Sequence, residues 1–182
     1  MRKIAEGYTA QILEWQAGQV LKLYFPEFSG IAEIEFTITQ KILELDLPAP
    51  KVFEKVEMDG RAGYVMERID GTSYRDLSED TPDKGKKLAI FLAKAHARIN
   101  KVELCSTTLE PILPRILDRI KASCKTLKDL SEVISLSINE IQDDNSLVHN
   151  DFHFGNILSL DKEIKVIDWN GAGISNRYAD VA

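Results

Sequence analysis

Apolar and polar residues alternate with a period of two near the start of the chain. Gln11-Ile12-Leu13-Glu14-Trp15 and Gln19-Val20-Leu21-Lys22-Leu23-Tyr24 flank Gln16-Ala17-Gly18, so residues 3–25 are predicted to form β-structure around a hairpin turn. On the second strand Val20, Lys22 and Tyr24 share one face, and Leu21, Leu23 and Phe25 share the other. A lysine between apolar neighbours is out of character unless it guards an edge strand or serves a function. The period then lengthens. Ile31, Ile34, Ile38 and Ile42 fall on one stripe with Glu33 and Glu35 beside it, which predicts a helix from Ile31 to Leu45. Leu47-Pro48-Ala49-Pro50 ends it, because proline disfavours helix at its own position and at the one before. A second hairpin follows, from Val52-Phe53-Glu54-Lys55-Val56 through Asp59-Gly60 to Ala62-Gly63-Tyr64-Val65-Met66-Glu67.

Beyond Asp70-Gly71-Thr72-Ser73, a turn that could also cap a helix, the pattern becomes helical. Asp83 to Val102 carries Leu88, Phe91, Leu92, Ala95 and Ile99 at helical spacing. Leu113 to Leu127 and Ser131 to Ile141 are two further amphipathic candidates. Short apolar strands at Leu147–Val148, Ile157–Leu158 and Ile164–Ile167 close the chain. The change of pattern at residues 67–72 sets the predicted lobe boundary, and no repeat or low-complexity linker interrupts the chain.

With 182 residues and 44% hydrophobic content, the chain can bury a core as one domain or two small lobes. A net charge of −6 leaves no basic footprint for nucleic acid. Cys105 and Cys124 lie far apart with no CxxC partner, which points to a reducing compartment. No apolar run reaches transmembrane length, and Met1 to Gly7 lacks the apolar core of a secretion signal. Cytoplasm, with no membrane partner, is the expectation.

The chemistry concentrates in His149-Asn150-Asp151-Phe152-His153-Phe154-Gly155-Asn156, followed by a strand and Val166-Ile167-Asp168-Trp169. An Asp, an Asn five residues later and a second Asp closing an apolar strand suit phosphoryl transfer. One carboxylate aligns a hydroxyl and takes its proton, while the amide and the second carboxylate hold metal ions against nucleotide phosphates. Taken singly, each Asp could be an Asx turn or a helix cap, and it is their joint spacing that favours chemistry. His149 reads as a structural brace, and His96 as a satisfied interior histidine on an apolar helix face.

These residues resemble the aminoglycoside phosphotransferase and choline kinase group, small-molecule kinases that share the protein-kinase fold. The likeness runs over nearly the whole chain. His149-x-Asp151-x-His153-x-Gly155-Asn156 looks like the group's catalytic loop and Ile167-Asp168-Trp169 like its metal-binding segment. His153 and Asp-Trp, where a protein kinase more often has Lys and DFG, point to a small-molecule acceptor. Phe154 stands where the group usually has Pro, and Asn150 where Gly is common. Upstream, Glu6-Gly7-Tyr8-Thr9-Ala10 is similar to the phosphate-covering turn, although Gly7 also fits a plain hairpin. Val20-Leu21-Lys22 looks like the nucleotide lysine. Glu35, with Glu33 as the alternative, looks like its helix partner, and Met66-Glu67-Arg68-Ile69 occupies the adenine hinge position.

The resemblance implies an α+β, two-lobed protein-kinase-like fold. Residues 1–69 would form the antiparallel-sheet N-lobe and 70–182 a mainly helical, C-terminally incomplete C-lobe. Relatives continue past the metal-binding segment, and Asp180 looks like the buried aspartate before their next helix, so a fragment is expected. ATP and Mg2+ are implied. Lys22, oriented by Glu35, and main-chain groups of Gly7, Tyr8 and Thr9 would meet phosphates. Met66, Glu67 and Ile69 would meet adenine between Ile12 and Val20 on one side and Leu158 and Ile167 on the other. Asp151 would be catalytic, with Asn156 and Asp168 on the metal. The expected function is transfer of the ATP γ-phosphate to a hydroxyl of an aminoglycoside-, choline- or sugar-like molecule. The alternative is a nucleotide-binding module without catalysis. A protein kinase is disfavoured, because few residues follow Asp168 to build an activation loop.

Overall fold

A computed structural model describes residues 1–78, 82–105, 108–123, 144–160 and 163–180. Both hairpins form, and they join into one antiparallel sheet. Its strands are β1 (Lys3–Glu6), β2 (Ala10–Glu14), β3 (Gln19–Tyr24), β4 (Val52–Met58) and β5 (Arg61–Glu67), in spatial order β1-β2-β3-β5-β4. The β4–β5 turn uses Asp59 and Gly60 at φ 52° and 70°, the left-handed pair that a two-residue hairpin turn needs. β3 is the middle strand, so Lys22 guards no edge.

Both faces of β3 are buried. Tyr24 packs with Ala10, Tyr64, Ala32 and Phe36 on the side of helix α1 (Gly30–Glu44), and Leu21 and Leu23 pack with Val65 on the other. β3 and β5 approach closely around the lysine. A Cβ on Gly63 would lie 2.5 Å from the Lys22 carbonyl oxygen, a backbone atom that cannot turn aside. Gly63→Ala should therefore destabilise the protein by about 1–3 kcal/mol, the usual cost of overpacking. Urea denaturation reads this, and an unchanged midpoint would refute the close approach.

α1 corrects one expectation. It buries Ala32, Glu35, Phe36, Ile38, Thr39 and Ile42, whereas Ile34 is 50% exposed. Ile34 sits just past the Ile38 margin of the buried arc, whose centre is set by Glu35 and Thr39.

Helix α2 (Tyr74–Ser78) was not anticipated as an element, although its cap was. Ser73 Oγ accepts the Asp76 N–H at 3.2 Å and donates to the Asp76 carboxylate at 2.7 Å. α3 spans Pro82–Asn100, and Phe91 on its outer side stays partly exposed while stacking on Tyr74. α4 covers Ile112–Ser123, so the helix begins one residue before the predicted start, and the predicted portion after Ser123 lies outside the described residues. The predicted helix Ser131–Ile141 lies outside them as well.

The late strands form two small sheets. β7 (Ser146–Val148) pairs with β10 (Gly173–Ser175), while β6 (Thr72–Ser73), β8 (Ile157–Leu160) and β9 (Glu163–Val166) pair in the order β6-β8-β9. The chain groups into two compact units: Met1–Leu92 with His153–Gly171, and Ala93–Phe152 with Ala172–Ala182.

Candidate active site

The first unit carries a buried charge cluster at the lysine that the alternation pattern marked out. Lys22 is 5% exposed, and its ammonium donates to both oxygens of Glu35, at 2.9 and 2.8 Å. It also donates to Asp168 at 2.5 Å. The Tyr24 hydroxyl donates to the second Glu35 oxygen. Tyr64, the cross-strand neighbour of Lys22, is fully buried beneath the group. Burial works against the Lys22 charge, but Glu35, Tyr64, Asp168 and Tyr24 together outweigh it and hold the ammonium well above the ordinary lysine range. Burial pushes both tyrosines up, so they stay protonated.

Glu33, the alternative partner, turns outward and pairs with Lys55 at 2.9 Å, where both side chains are more than half exposed. The structure thus joins Lys22, Glu35 and Asp168 directly. Glu35 is held along its helix as well, since the Thr39 hydroxyl donates to its main-chain carbonyl at 2.7 Å.

Asp168 sits in a tight turn with φ 64°, a conformation that Asp and Asn tolerate far better than most residues. Behind it Trp169 is fully buried and donates its indole N–H to the Val166 carbonyl at 2.7 Å, which anchors the turn. Asn156 lies one strand pairing away. Its main-chain carbonyl accepts the Ile167 N–H at 2.9 Å, and its own N–H donates to the His153 carbonyl at 3.0 Å. His153 Nδ1 accepts the Gly155 N–H at 2.9 Å, which leaves the proton of the neutral ring on Nε2. A Cβ on Gly155 would meet the His153 ring and the Arg75 guanidinium within 3.0 Å, so a larger residue here would force those side chains to shift.

The other predicted nucleotide residues are distributed over the same unit. Gly7 donates its N–H to the Ala10 carbonyl at 2.9 Å, and the Thr9 carbonyl accepts from Phe25 at 2.9 Å, which shapes the β1–β2 turn. Tyr8 at its tip is 87% exposed, with its ring centroid 5.5 Å from that of Phe28. Ile12 stands opposite Lys22, and Val20 opposite Met66. Leu158 stands opposite Lys165, and Ile167 follows the end of β9. Ile69 is half-buried. The Glu67 carboxylate ties β5 to β9, accepting the Lys51 N–H at 3.0 Å and the Lys165 ammonium at 3.1 Å.

Arg61 was missed by the sequence reading. Its guanidinium donates to the carbonyls of Tyr24 at 2.7 Å and Leu23 at 3.1 Å, bracing the end of the lysine strand. Tyr24 was placed on the face of Lys22 but given no role. Their spacing of two on one strand is the signal that could have found it.

Asp151 belongs to the second unit. The residues before it are pinned by Asp180, whose fully buried carboxylate accepts the N–H groups of His149 at 2.7 Å and Asn150 at 2.5 Å. Burial opposes the Asp180 charge, yet His96 and those two N–H groups hold its carboxyl below the usual range. His96 Nε2 lies 3.6 Å from the carboxylate and 3.1 Å from the Asn100 amide, so this histidine is satisfied within the fold. Asn150 has φ 63°, which explains why Asn stands in a position that also suits glycine. His149 is fully buried, edge-on to Phe152.

A family model described as the phosphotransferase enzyme family matches residues 1–182. Among curated proteins, acyl-CoA dehydrogenase family member 11 of Homo sapiens is 24% identical over 170 residues. Its counterpart in Pongo abelii is 22% identical over the same length. Each match covers 81% of this chain and 22% of the relative, so the chain spans about a fifth of the length of these proteins. Among solved structures, the gentamicin complex of APH(2")-IIa superimposes with a TM-score of 0.68 at 17% identity, covering 98% of this chain and 67% of that one. Aminoglycoside-3'-phosphotransferase of type VIII gives 0.68 at 16% identity, covering 99% and 73%. APH(3'')-Id from Streptomyces rimosus gives 0.65 at 16% identity, covering 94% and 72%. At such identities the likeness shows the fold, which is kinase-like, with an antiparallel sheet and one helix preceding the helices and the polar loops.

Proposed function

This chain belongs to the phosphotransferase enzyme family, and we propose that it moves the γ-phosphate of ATP to a hydroxyl group of a small molecule. The observation that carries the reading is the buried Lys22–Glu35–Asp168 cluster. A fully charged ammonium placed on a central strand and oriented by a buried carboxylate is costly to build and suits phosphate binding. In this reading Lys22 meets the α- and β-phosphates, and main-chain groups of Gly7, Tyr8 and Thr9 cover them. Met66, Glu67 and Ile69 meet the adenine edge, with Ile12, Val20, Leu158 and Ile167 supplying apolar contact.

The donor set fits Mg2+, a hard cation that takes oxygen ligands from one or two carboxylates and completes its shell with phosphates and water. The Asn156 amide and the Asp168 carboxylate provide such oxygens from adjacent, hydrogen-bonded segments, and Asp168 already accepts a cationic group from Lys22. Among the described residues no cluster of three or more His, Cys, Asp or Glu side chains forms a protein-only cage. Bound there, the metal would neutralise phosphate charge.

Asp151 is the proposed catalytic residue: it aligns the acceptor hydroxyl and takes its proton late in transfer. The acceptor is aminoglycoside-, choline- or sugar-like, and the reaction is a cytoplasmic one. Residues 1–69 would act as the nucleotide-covering lobe and 70–182 as the lobe that carries the catalytic and metal-binding loops. Phosphate transfer from ATP across a panel of hydroxylated acceptors tests the reading. Asp151→Asn should cut that transfer by about 10²–10⁴-fold while leaving nucleotide affinity unchanged. Equal loss of both would make Asp151 a nucleotide or metal ligand instead. Nucleotide binding without transfer to any acceptor would favour the binding module.

A further inference from the structure

We infer that Tyr24 is a positioning residue of the nucleotide site, holding Glu35 in place so that Lys22 can share its protons with phosphate oxygens. The inference rests on the nucleotide role proposed for Lys22. Two of the three ammonium protons go to Glu35 and the third to Asp168. Phosphates entering the site would compete for those protons. Glu35 is 1% exposed, so no water can replace a donor it loses. A buried carboxylate with a vanished partner is costly, and α1 would be pulled out of register with β3 to relieve it.

Tyr24 removes that conflict. Its hydroxyl donates to the Glu35 oxygen at 2.8 Å from Lys22, and that oxygen keeps a donor when the ammonium turns. Burial keeps the phenol protonated and donating across the working pH range. The ring is itself locked: it is fully buried in the cluster with Ala32, Phe36 and Tyr64, and its main-chain carbonyl is held by Arg61. Lys22 Nζ lies 5.4 Å from the Tyr24 ring centroid, so the aromatic face also supports the charge. The spacing of two on one strand places both side chains on the face that meets α1. Tyr24 touches Glu35 and Lys22 and reaches the substrate only through them.

Tyr24→Phe keeps the ring and removes the donor. Titration calorimetry with MgADP should show affinity falling roughly tenfold in the otherwise unaltered protein, and less than about twofold in a Glu35→Gln background. Equal losses in both backgrounds, or no loss in the first, would overturn the inference. Hydrogen exchange needs no nucleotide: amides of residues 32–39 should exchange about tenfold faster in Tyr24→Phe. Unchanged exchange there would also overturn it. If the unaltered protein bound no MgADP, the nucleotide reading would fall, while exchange would still decide whether Tyr24 pins Glu35.

Discussion

Lys22→Met is expected to abolish nucleotide binding and to lower stability by about 3–5 kcal/mol, the usual cost of leaving one member of a buried ion pair alone. Methionine retains most of the apolar stem, so little packing is lost and the charge carries the effect. Among the described residues Glu35 would keep only the Tyr24 donor, and Asp168 would lose the cation beside it. The sign of the pH dependence follows from the raised Lys22 value. The contribution of the pair is complete below the ordinary lysine value of 10.5 and disappears only as pH rises through the higher folded value. The deficit of the variant should therefore be constant across the neutral range. Urea denaturation at several pH values, together with MgADP titration, checks both parts. A double variant, Lys22→Met with Glu35→Leu, should regain much of the stability, because an apolar pair can replace a buried ion pair, and none of the binding. Nucleotide affinity restored in the double variant would remove Lys22 from the phosphate site.

Asp168→Ala should eliminate the Mg2+ dependence of nucleotide binding, since the proposed metal pair would lose its only charged member. Alanine at φ 64° adds backbone strain of about 1–2 kcal/mol, which would confound a loss of binding with a loss of fold. Asp168→Asn separates the two, because asparagine tolerates the left-handed conformation and lacks only the charge. It should melt within a few degrees of the unaltered protein, a shift of about 1 kcal/mol or less, and still lose the Mg2+ response. MgADP affinity measured across a Mg2+ titration, with thermal melts alongside, is the decisive pair of measurements. An Asn variant that responds to Mg2+ as before would leave Asp168 as a partner of Lys22 and nothing more.

Periodicity and turn chemistry are local, so the chain determined by itself most of what depends on them. Four strands of the main sheet follow from alternation and from the Gln16-Ala17-Gly18 and Asp59-Gly60 turns, β1 falls within the wider stretch read as β-structure, and α1 follows from its isoleucine spacing and the prolines beyond it. The spacing of Asp151, Asn156 and Asp168 likewise pointed to phosphoryl chemistry without any knowledge of the fold. Strands β6 and β10, of two and three residues, went unread because they are too short to display a period.

Docking decided the rest. Glu33 and Glu35 lie roughly 200° apart around a helix, and only the seating of α1 on the sheet selects which of them faces in. Glu35 enters to meet Lys22 and Tyr24, while Glu33 goes to Lys55 at the surface. The same seating leaves Ile34 half in water, because Glu35 and Thr39 define the centre of the buried arc and Ile34 falls beyond its Ile38 margin. Strand order made the same kind of choice for Lys22. A lysine on an edge strand needs no partner, and one on the middle strand of five must have them. Whether β3 is central depends on β5 pairing with it across about forty residues of intervening chain. No local pattern encodes a pairing of that range, which is why the partners of the lysine had to be found in three dimensions.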